Sequence, residues 1–399
     1  MASVKRLCIL GSTGSIGRNC LSVVRSMPDH LRVVALCAGK NLVLLAEQVH
    51  EFSPELVCVA SAAHVEPLRT LLRETHSMRH VKVVSGTEGQ LEAATLPEVD
   101  VVVSGSHGIT GLEATFAAVE AGKSVALANK EVLVAAGELF MKRAREREAD
   151  VIPIDSEHCA LHQCFRSGRR AEVRRLILTG SGGPFLKTPA GHLDSVTPEM
   201  ALKHPVWKMG GRITVDSATL MNKGLEIIEA RWLFGLLPPM IEVLIHPESL
   251  VHSMIEFNDG SVIAQLSIPD MRLPIQYALT YPERLHSGVQ LPPLNLLGRS
   301  LHFEKADAVR FPCLALAREA LESGGALPCC LNAADEIAVD AFLTQRLKFT
   351  EIPRVIEKVL RASPAHHLNS LGDVLECDRE ARRKAHEAVS VLARRPAVA

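Results

Sequence analysis

The chain has 399 residues, enough for two or three domains and too many for one ordinary core. Apolar residues make up 47% and charged residues 22%, and the net charge of -1 argues against a general binder of nucleic acid or acidic membranes. No apolar run approaches the roughly 20 residues that span a bilayer, and the start MASVKRLCILGSTG reads as a first strand, not a signal peptide.

The first 150 residues alternate short β-branched runs with helical patterns. RLCIL, RVVAL, LVCVA, VKVVS, VDVVVSG and SVALAN predict strands, and NCLSVVRSM, LVLLAEQVHEF, HVEPLRTLLRETH, GLEATFAAVEAG and KEVLVAAGELFMKRAREREA predict helices. Strands that are apolar throughout, separated by amphipathic helices, predict a parallel sheet covered on both faces: a doubly wound, Rossmann-like α/β domain over 1–150. The pattern changes after DVIPID. RRLILTG predicts a strand, 184–210 is rich in Gly, Pro, His and Lys with little periodicity, RITVD predicts a strand, and LMNKGLEIIEARWLF a strong helix. IEVLIHP, LVHSMIEFN and SVIAQLSIP follow as strands, the last two joined by the hairpin turn Asn258-Asp259-Gly260. Residues 151–285 thus read as an α+β domain with an antiparallel or mixed sheet, 286–312 as a linker, and 313–399 as a helical domain. The ten cysteines form no CxxC pair, and several sit inside strand-like runs, as buried thiols of a reducing cytosol do.

In CILGSTGSIG, Gly11, Gly14 and Gly17 stand between the first strand and a helix. There, glycine lets backbone approach a pyrophosphate, and the helix end offers N–H groups. The second strand ends in ALCAGKN with no acid; Lys40, beside Gly39 and Asn41, suits a 2′-phosphate and so NADPH over NADH. A tight strand–helix turn and a solvated lysine are the plain alternatives.

IPIDSEH places Asp155, Ser156, Glu157 and His158 behind an apolar run. If the strand continues, its period of two sends Asp155 and Glu157 to one side, where two carboxylates suit a hard divalent ion. Otherwise Ser156 caps a helix and the acids favour its dipole. In VDSATLMNKGLE, Asn222 and Glu226 are one turn apart, off the apolar stripe of Leu225, Ile228 and Trp232. Ser217, Asn222 and Lys223 are phosphate-binding residue types at a helix entry. TGSGGPF offers Ser181 in a second phosphate loop. HPVWKMG, with His204, Trp207 and Met209, reads as a lid. His158 is left as structural.

Taken together, GSTGSIG, AGKN, ALANKE, PIDSEH, SGGPF, HPVWKMG, DSATLMNKGLE, HPESLVHSMIEFNDGSV, PDMRLPIQYALTYPER and LNAADEIAV closely resemble the 1-deoxy-D-xylulose 5-phosphate reductoisomerase family over nearly the whole chain. The resemblance implies NADPH-dependent rearrangement and reduction of 1-deoxy-D-xylulose 5-phosphate to 2-C-methyl-D-erythritol 4-phosphate. This is the committed step of non-mevalonate isoprenoid synthesis. It uses Mn²⁺, Mg²⁺ or Co²⁺ as Lewis acid and a retro-aldol/aldol route before hydride transfer.

By the same resemblance Asp155, Glu157 and Glu226 are metal ligands, and Ser181, Ser217, Asn222 and Lys223 anchor the phosphate. Ser156, Lys130 and His204 touch substrate, with Trp207 and Met209 on a mobile flap over 184–212. Lys130, Glu157, His204 and Glu226 form the catalytic set. Thr13, Gly14, Ser15, Ile16, Gly39, Lys40, Asn41, Asn129, Glu131 and Gly210 contact NADPH. A cytoplasmic homodimer, joined through the middle domain, is also implied.

Four positions depart from the family pattern: Ser104-Gly105-Ser106-His107, Gly180 for alanine, Arg212 for lysine, and Asp335 for asparagine. None is expected to touch a metal ligand or phosphate anchor. Two rivals remain. A simple NADP-dependent dehydrogenase would need no divalent ion, and a non-catalytic NADPH-binding regulator would have little use for the acidic residues.

Overall fold

The computed structural model describes residues 4–74, 81–106, 108–207, 209–286 and 291–393. In chain order the first elements are β1 (Lys5–Leu10), α1 (Ser15–Ser26), β2 (Leu31–Cys37), α2 (Leu42–Phe52), β3 (Leu56–Val59), α3 (Val65–Glu74), β4 (Lys82–Ser85) and α4 (Gly86–Thr95). Then come β5 (Val101–Ser104), α5 (Leu112–Glu120), β6 (Ser124–Leu127), α6 (Glu131–Glu146), β7 (Val151–Pro153) and α7 (Ser156–Cys164). The middle holds β8 (Val173–Gly180), α8 (Pro198–Ala201), α9 (Gly211–Thr219), α10 (Met221–Phe234), β9 (Ile241–Ile245), β10 (Val251–Phe257), β11 (Val262–Leu266) and α11 (Arg272–Thr280). The chain ends with β12 (Glu304–Lys305), α12 (Cys313–Ser323), α13 (Leu327–Leu343), α14 (Ile352–Arg361) and α15 (Leu371–Ala393).

Two compact units result. The first comprises Met1–Val132, Phe140–His162 and Asp270–Pro293. Its seven strands are all parallel, in the order β4-β3-β2-β1-β5-β6-β7. The order turns back between β1 and β5, and in such sheets ligands bind beyond the carboxyl ends of the strands near that point. Both faces are covered, so Leu7, Ile9, Leu36, Val57 and Val103 are wholly buried. The core also takes in Ile275, Ala278 and Leu279 of α11, a piece of chain far along the sequence. The helix α4 had no counterpart among the predicted elements; its sequence GTEGQLEAAT is too small and polar to show a stripe.

The second unit comprises Leu133–Leu139, Gln163–Pro269 and Leu294–Ala399. Its mixed sheet runs β11-β10-β8-β9-β12, with β8 and β9 parallel and the other pairs antiparallel. The hairpin between β10 and β11 forms as the Asn-Asp-Gly turn predicts, with Gly260 at φ 87° and Phe257 N–H donating to Ser261 O at 2.9 Å. Helices α12 to α15 pack with α10 and α9 around buried Ala317, Ala334, Val355 and Ala385.

Two local expectations fail. RITVD is not a strand: Gly210 caps α9 and Thr214 Oγ1 donates to Gly210 O at 2.8 Å, so a helix forms despite three β-branched residues in a row. Nor does β7 run on into DSEH. Its pairing stops at Pro153, and Asp155 O accepts from Cys159 N–H at 2.7 Å, so Ser156 and Glu157 lie in the first turn of α7. The period-two reasoning for Asp155 and Glu157 therefore does not apply. All ten cysteines are buried free thiols, as their strand-like settings suggest.

Candidate active site

Within the first unit, the nucleotide loop links β1 to α1. Gly11 has φ 84°, and a Cβ there would sit 2.7 Å from Gly105 O. A Cβ on Gly17 would lie 2.4 Å from both Gly11 O and Ser12 O, so only glycine lets the chain fold back so tightly. Gly11 and Ser12 N–H both donate to Cys37 O, at 2.9 and 2.8 Å, which ties this loop to the end of β2. Gly14 caps α1 without a side-chain bond, and no acid occupies the first turn. The first turn of the helix thus brings no acid of its own to these N–H groups, which fits a pyrophosphate.

Thr13 and Ile16 are half-buried and Ser15 is exposed, on the same loop. Gly39, Lys40 and Asn41 are exposed after β2, and Asn41 also accepts from Leu44 N–H at 3.2 Å as the cap of α2. Asn129, Lys130 and Glu131 follow β6. The Asn129 amide donates to Gly108 O at 2.9 Å, while its buried Oδ1 has no hydrogen-bond partner among the described residues. His107 lies outside the described residues. Its neighbour Ser104 is absorbed locally, its Oγ lying 2.8 Å from Thr115 Oγ1.

Asp155 follows β7. Its Oδ2 pairs with Lys130 Nζ at 2.6 Å, and both side chains are close to fully buried. Ser156 Oγ donates to Glu157 Oε2, and buried His158 stands 3.9 Å from Asp155 Oδ2. Thus the predicted residues of this unit all stand beyond the carboxyl ends of β1, β2, β6 and β7. The Lys130–Asp155 pair had no signal in the sequence, because 25 positions separate the partners and no periodicity relates two strand ends.

The second unit gathers the predicted phosphate anchors. Ser181 and Ser217 lie either side of His204, whose Nε2 is 3.1 Å from each hydroxyl. His204 Nδ1 accepts from Val206 N–H at 3.1 Å and Trp207 N–H at 2.9 Å. These two donors assign the lone pair to Nδ1 and the hydrogen to Nε2. Gly183 N–H donates to Ser181 Oγ at 3.2 Å, with Gly182 and Gly183 at positive φ. Trp207 is half-buried, tilted against the His252 ring at 6.3 Å, and Met209 is half-buried. Gly210, exposed, caps α9.

The flap is not structureless over its whole length. Phe185 packs edge-on against Phe349 at 5.2 Å, Leu193 is buried, and Thr350 bonds Asp194.

On α10, Lys223 Nζ donates to Thr179 O at 2.7 Å and to Glu226 Oε2 at 2.6 Å, and Asn222 Nδ2 donates to Glu226 Oε1 at 2.6 Å. Glu226 is fully buried although it stands off the apolar stripe of Leu225, Ile228 and Trp232, and Glu229 is buried with it. The cause is packing on two sides. A Cβ on Gly224 would lie 2.5 Å from Ala317 Cβ of α12, and a Cβ on Gly180 would lie 2.8 Å from Lys223 Cε. Gly180 therefore does touch a predicted phosphate anchor: it leaves room for the lysine stem across the end of β8. Buried carboxylates oriented by an ammonium and an amide are hard oxygen donors of the kind a divalent cation takes.

A family model described as 1-deoxy-D-xylulose 5-phosphate reductoisomerase matches residues 7–137. Models for C-terminal domains of the same enzyme match 151–234 and 266–384. The curated protein of that name from Solibacter usitatus (strain Ellin6076) is 50% identical over 387 residues, covering 96% of this chain and 97% of its own. That of Anaeromyxobacter dehalogenans (strain 2CP-1 / ATCC BAA-258) is 49% identical, covering 99% of this chain and 100% of its own. The solved enzyme from Zymomonas mobilis in complex with NADPH superposes with a TM-score of 0.90 at 40% identity, covering 98% of this chain and 99% of that one. A further reductoisomerase, solved with NADPH, fosmidomycin and magnesium, gives 0.92 at 39% identity, over 98% of this chain and 100% of that one. With both C-terminal regions and the nucleotide domain matched in order, the chain belongs to the 1-deoxy-D-xylulose 5-phosphate reductoisomerase family.

Proposed function

We propose that the chain converts 1-deoxy-D-xylulose 5-phosphate into 2-C-methyl-D-erythritol 4-phosphate with NADPH and a divalent cation, the committed step of non-mevalonate isoprenoid synthesis. The observation that carries this reading is the set Thr179, Lys223, Asn222 and Glu226. There a buried ammonium and a buried carboxylate meet at one strand end, beside the His204-bridged serines. A simple dehydrogenase has no use for that arrangement.

When bound, NADPH supplies hydride and the cation supplies Lewis-acid polarisation. The chain's own residues do the rest. Asp155, Glu157 and Glu226 are the proposed cation ligands; magnesium accompanies the solved relative, and manganese and cobalt(II) suit the same oxygens. Thr13, Gly14, Ser15, Ile16, Gly39, Lys40, Asn41, Asn129, Glu131 and Gly210 are the proposed NADPH contacts.

Ser181, Ser217, Asn222 and Lys223 hold the phosphate. Binding energy spent there keeps both fragments in place while a carbon–carbon bond is broken and remade. Ser156 orients a substrate hydroxyl. Lys130 Nζ, held by Asp155, is placed to donate or return a proton at the substrate oxygens. His204 presents Nε2–H, and Trp207 and Met209 cover the substrate and keep water out.

The proposed division of labour is 1–150 for the nucleotide, 151–285 for catalysis and dimerisation with the flap at 184–212, a linker at 286–312 and a helical support at 313–399. Homodimerisation is supported by β11, an edge strand with Val262 and Ile263 48% and 38% exposed, since such an edge invites pairing with a second copy. Ten free thiols suit a reducing cytoplasm. No helix among the described residues is long and apolar enough to cross a membrane.

The test is NADPH consumption with 1-deoxy-D-xylulose 5-phosphate before and after chelation. Turnover is expected to vanish with chelator and to return with Mn²⁺ or Mg²⁺. Turnover that ignores the chelator would favour the simple dehydrogenase.

A further inference from the structure

Arg212 and Asp335 lie against each other. Arg212 is the second residue of α9, directly after the glycines that end the flap. Its Nη2 is 2.9 Å from Asn332 Oδ1 and 3.5 Å from Asp335 Oδ2, and its Nη1 is 3.2 Å from Glu336 Oε2, all on α13. Its Nε lies 3.7 Å from Asp216 Oδ2, one turn along α9. Glu336 also accepts from Arg382 of α15 at 2.7 Å, and Arg382 holds Asp378 at 2.6 Å. A continuous ionic chain therefore runs from α9 through α13 to α15.

Asn332 and Asp335 are completely buried and Asp216 is nearly so, which makes this no surface pair. Both Asp335 and Asp216 face the Cys313 thiol of α12, which burial, and then those two carboxylates, push well above its ordinary value. One guanidinium thus serves two buried carboxylates and an amide. Only a planar fork does that; a lysine ammonium is a single point charge. Asp216 is bonded in sequence to Ser217, at the end of the same short helix.

We propose that Arg212 and Asp335 are positioning residues that clamp α9 to the C-terminal helices and so hold Ser217 where it meets the substrate phosphate. This rests on the assignment of Ser217 as a phosphate anchor made above. It gives the C-terminal helices a part in substrate binding without any contact with substrate.

The experiment compares steady-state kinetics of the full-length enzyme, with NADPH and Mn²⁺, for Arg212→Lys, Asp335→Asn, the double variant and Ser217→Ala. Arg212→Lys is expected to raise KM for 1-deoxy-D-xylulose 5-phosphate about tenfold with kcat within about twofold, the pattern of lost uniform binding. Asp335→Asn alone is expected to raise it about threefold, and this comparison stands even if Arg212→Lys folds poorly. In the double variant KM is expected to rise about tenfold, no more than in Arg212→Lys alone, because the two residues share one contact and its loss counts once. A general loss of folded enzyme would lower apparent kcat without moving KM. The clamp is overturned if Ser217→Ala raises KM while both single variants leave it unchanged, or if the double variant's effect is the full product of the two singles, about thirtyfold. If Ser217→Ala leaves KM unchanged, the phosphate assignment fails and the clamp with it.

Discussion

Glu226→Gln changes one oxygen to an amide nitrogen in a fully buried position. In the wild type Oε1 accepts from Asn222 and Oε2 from Lys223, both at 2.6 Å. The amide can keep only one of these bonds, and its NH₂ then confronts a donor. A hydrogen bond to a charged group contributes about 1.5–3 kcal/mol. Neutralising Glu226 also leaves the buried Lys223 ammonium without its counter-charge, so a net loss of stability of about 3 kcal/mol is expected. Catalysis suffers more. Losing one of three proposed anionic ligands is expected to remove about 4 kcal/mol of transition-state stabilisation, on the order of a thousandfold in kcat.

The nucleotide loop belongs to the other compact unit, so NADPH affinity is expected to stay within about twofold. Three measurements decide: initial rates of NADPH consumption with saturating Mn²⁺, fluorescence titration of NADPH, and a thermal melt. Turnover within about tenfold of wild type, in a variant that stays folded at the assay temperature and binds NADPH normally, would refute the three-carboxylate site.

Two further predictions follow from packing and titration. Gly17→Ala sets a Cβ against two backbone oxygens at 2.4 Å, which cannot yield as a side chain would. Loss of measurable NADPH binding and about 3 kcal/mol of stability are expected, and calorimetric titration with normal affinity would contradict the cradle. The Asp335 carboxyl is pushed up to about 6 from 3.8 by burial, against the pull of Arg212 and then Asp216. Its folded value lies above its unfolded one, so its stabilising share is complete below the unfolded value and is lost as pH rises through the folded one. The loss amounts to roughly 3 kcal/mol. The stability of Asp335→Asn relative to wild type is therefore expected to rise between about pH 4 and pH 7, measured by urea unfolding. A difference that does not vary with pH would remove Asp335 as its source.

The alternation of strands and helices up to residue 150 was legible because parallel strands buried on both faces are apolar throughout and their helices carry stripes. Helix α4 was not, since its small residues pack by fitting and not by periodicity. The tight turn of Gly11, Gly14 and Gly17 between strand and helix could be read, because the constraint is local to a few bonds. The buried state of Glu226 could not, because it depends on Ala317 and Gly180, distant in the chain and close in space. RITVD misled for a related reason: its β-branched residues prefer a strand, and the start at Gly210 together with the contacts of Arg212 on α13 overrides that preference. The positions of Asp155 and Glu157 relative to each other were argued from a strand that stops two residues too early.

His204 offers a last consequence. The two backbone N–H groups that point at its Nδ1 belong to Val206 and Trp207, the part of the flap that carries the tryptophan. To take up a proton there, the imidazole would have to give up both bonds and let that turn go. The ring therefore acts as a pin through the turn at Val206 and Trp207, with its Nε2 hydrogen turned toward the serines. One neutral side chain fixed in this way fastens the Trp207 turn to both Ser181 and Ser217.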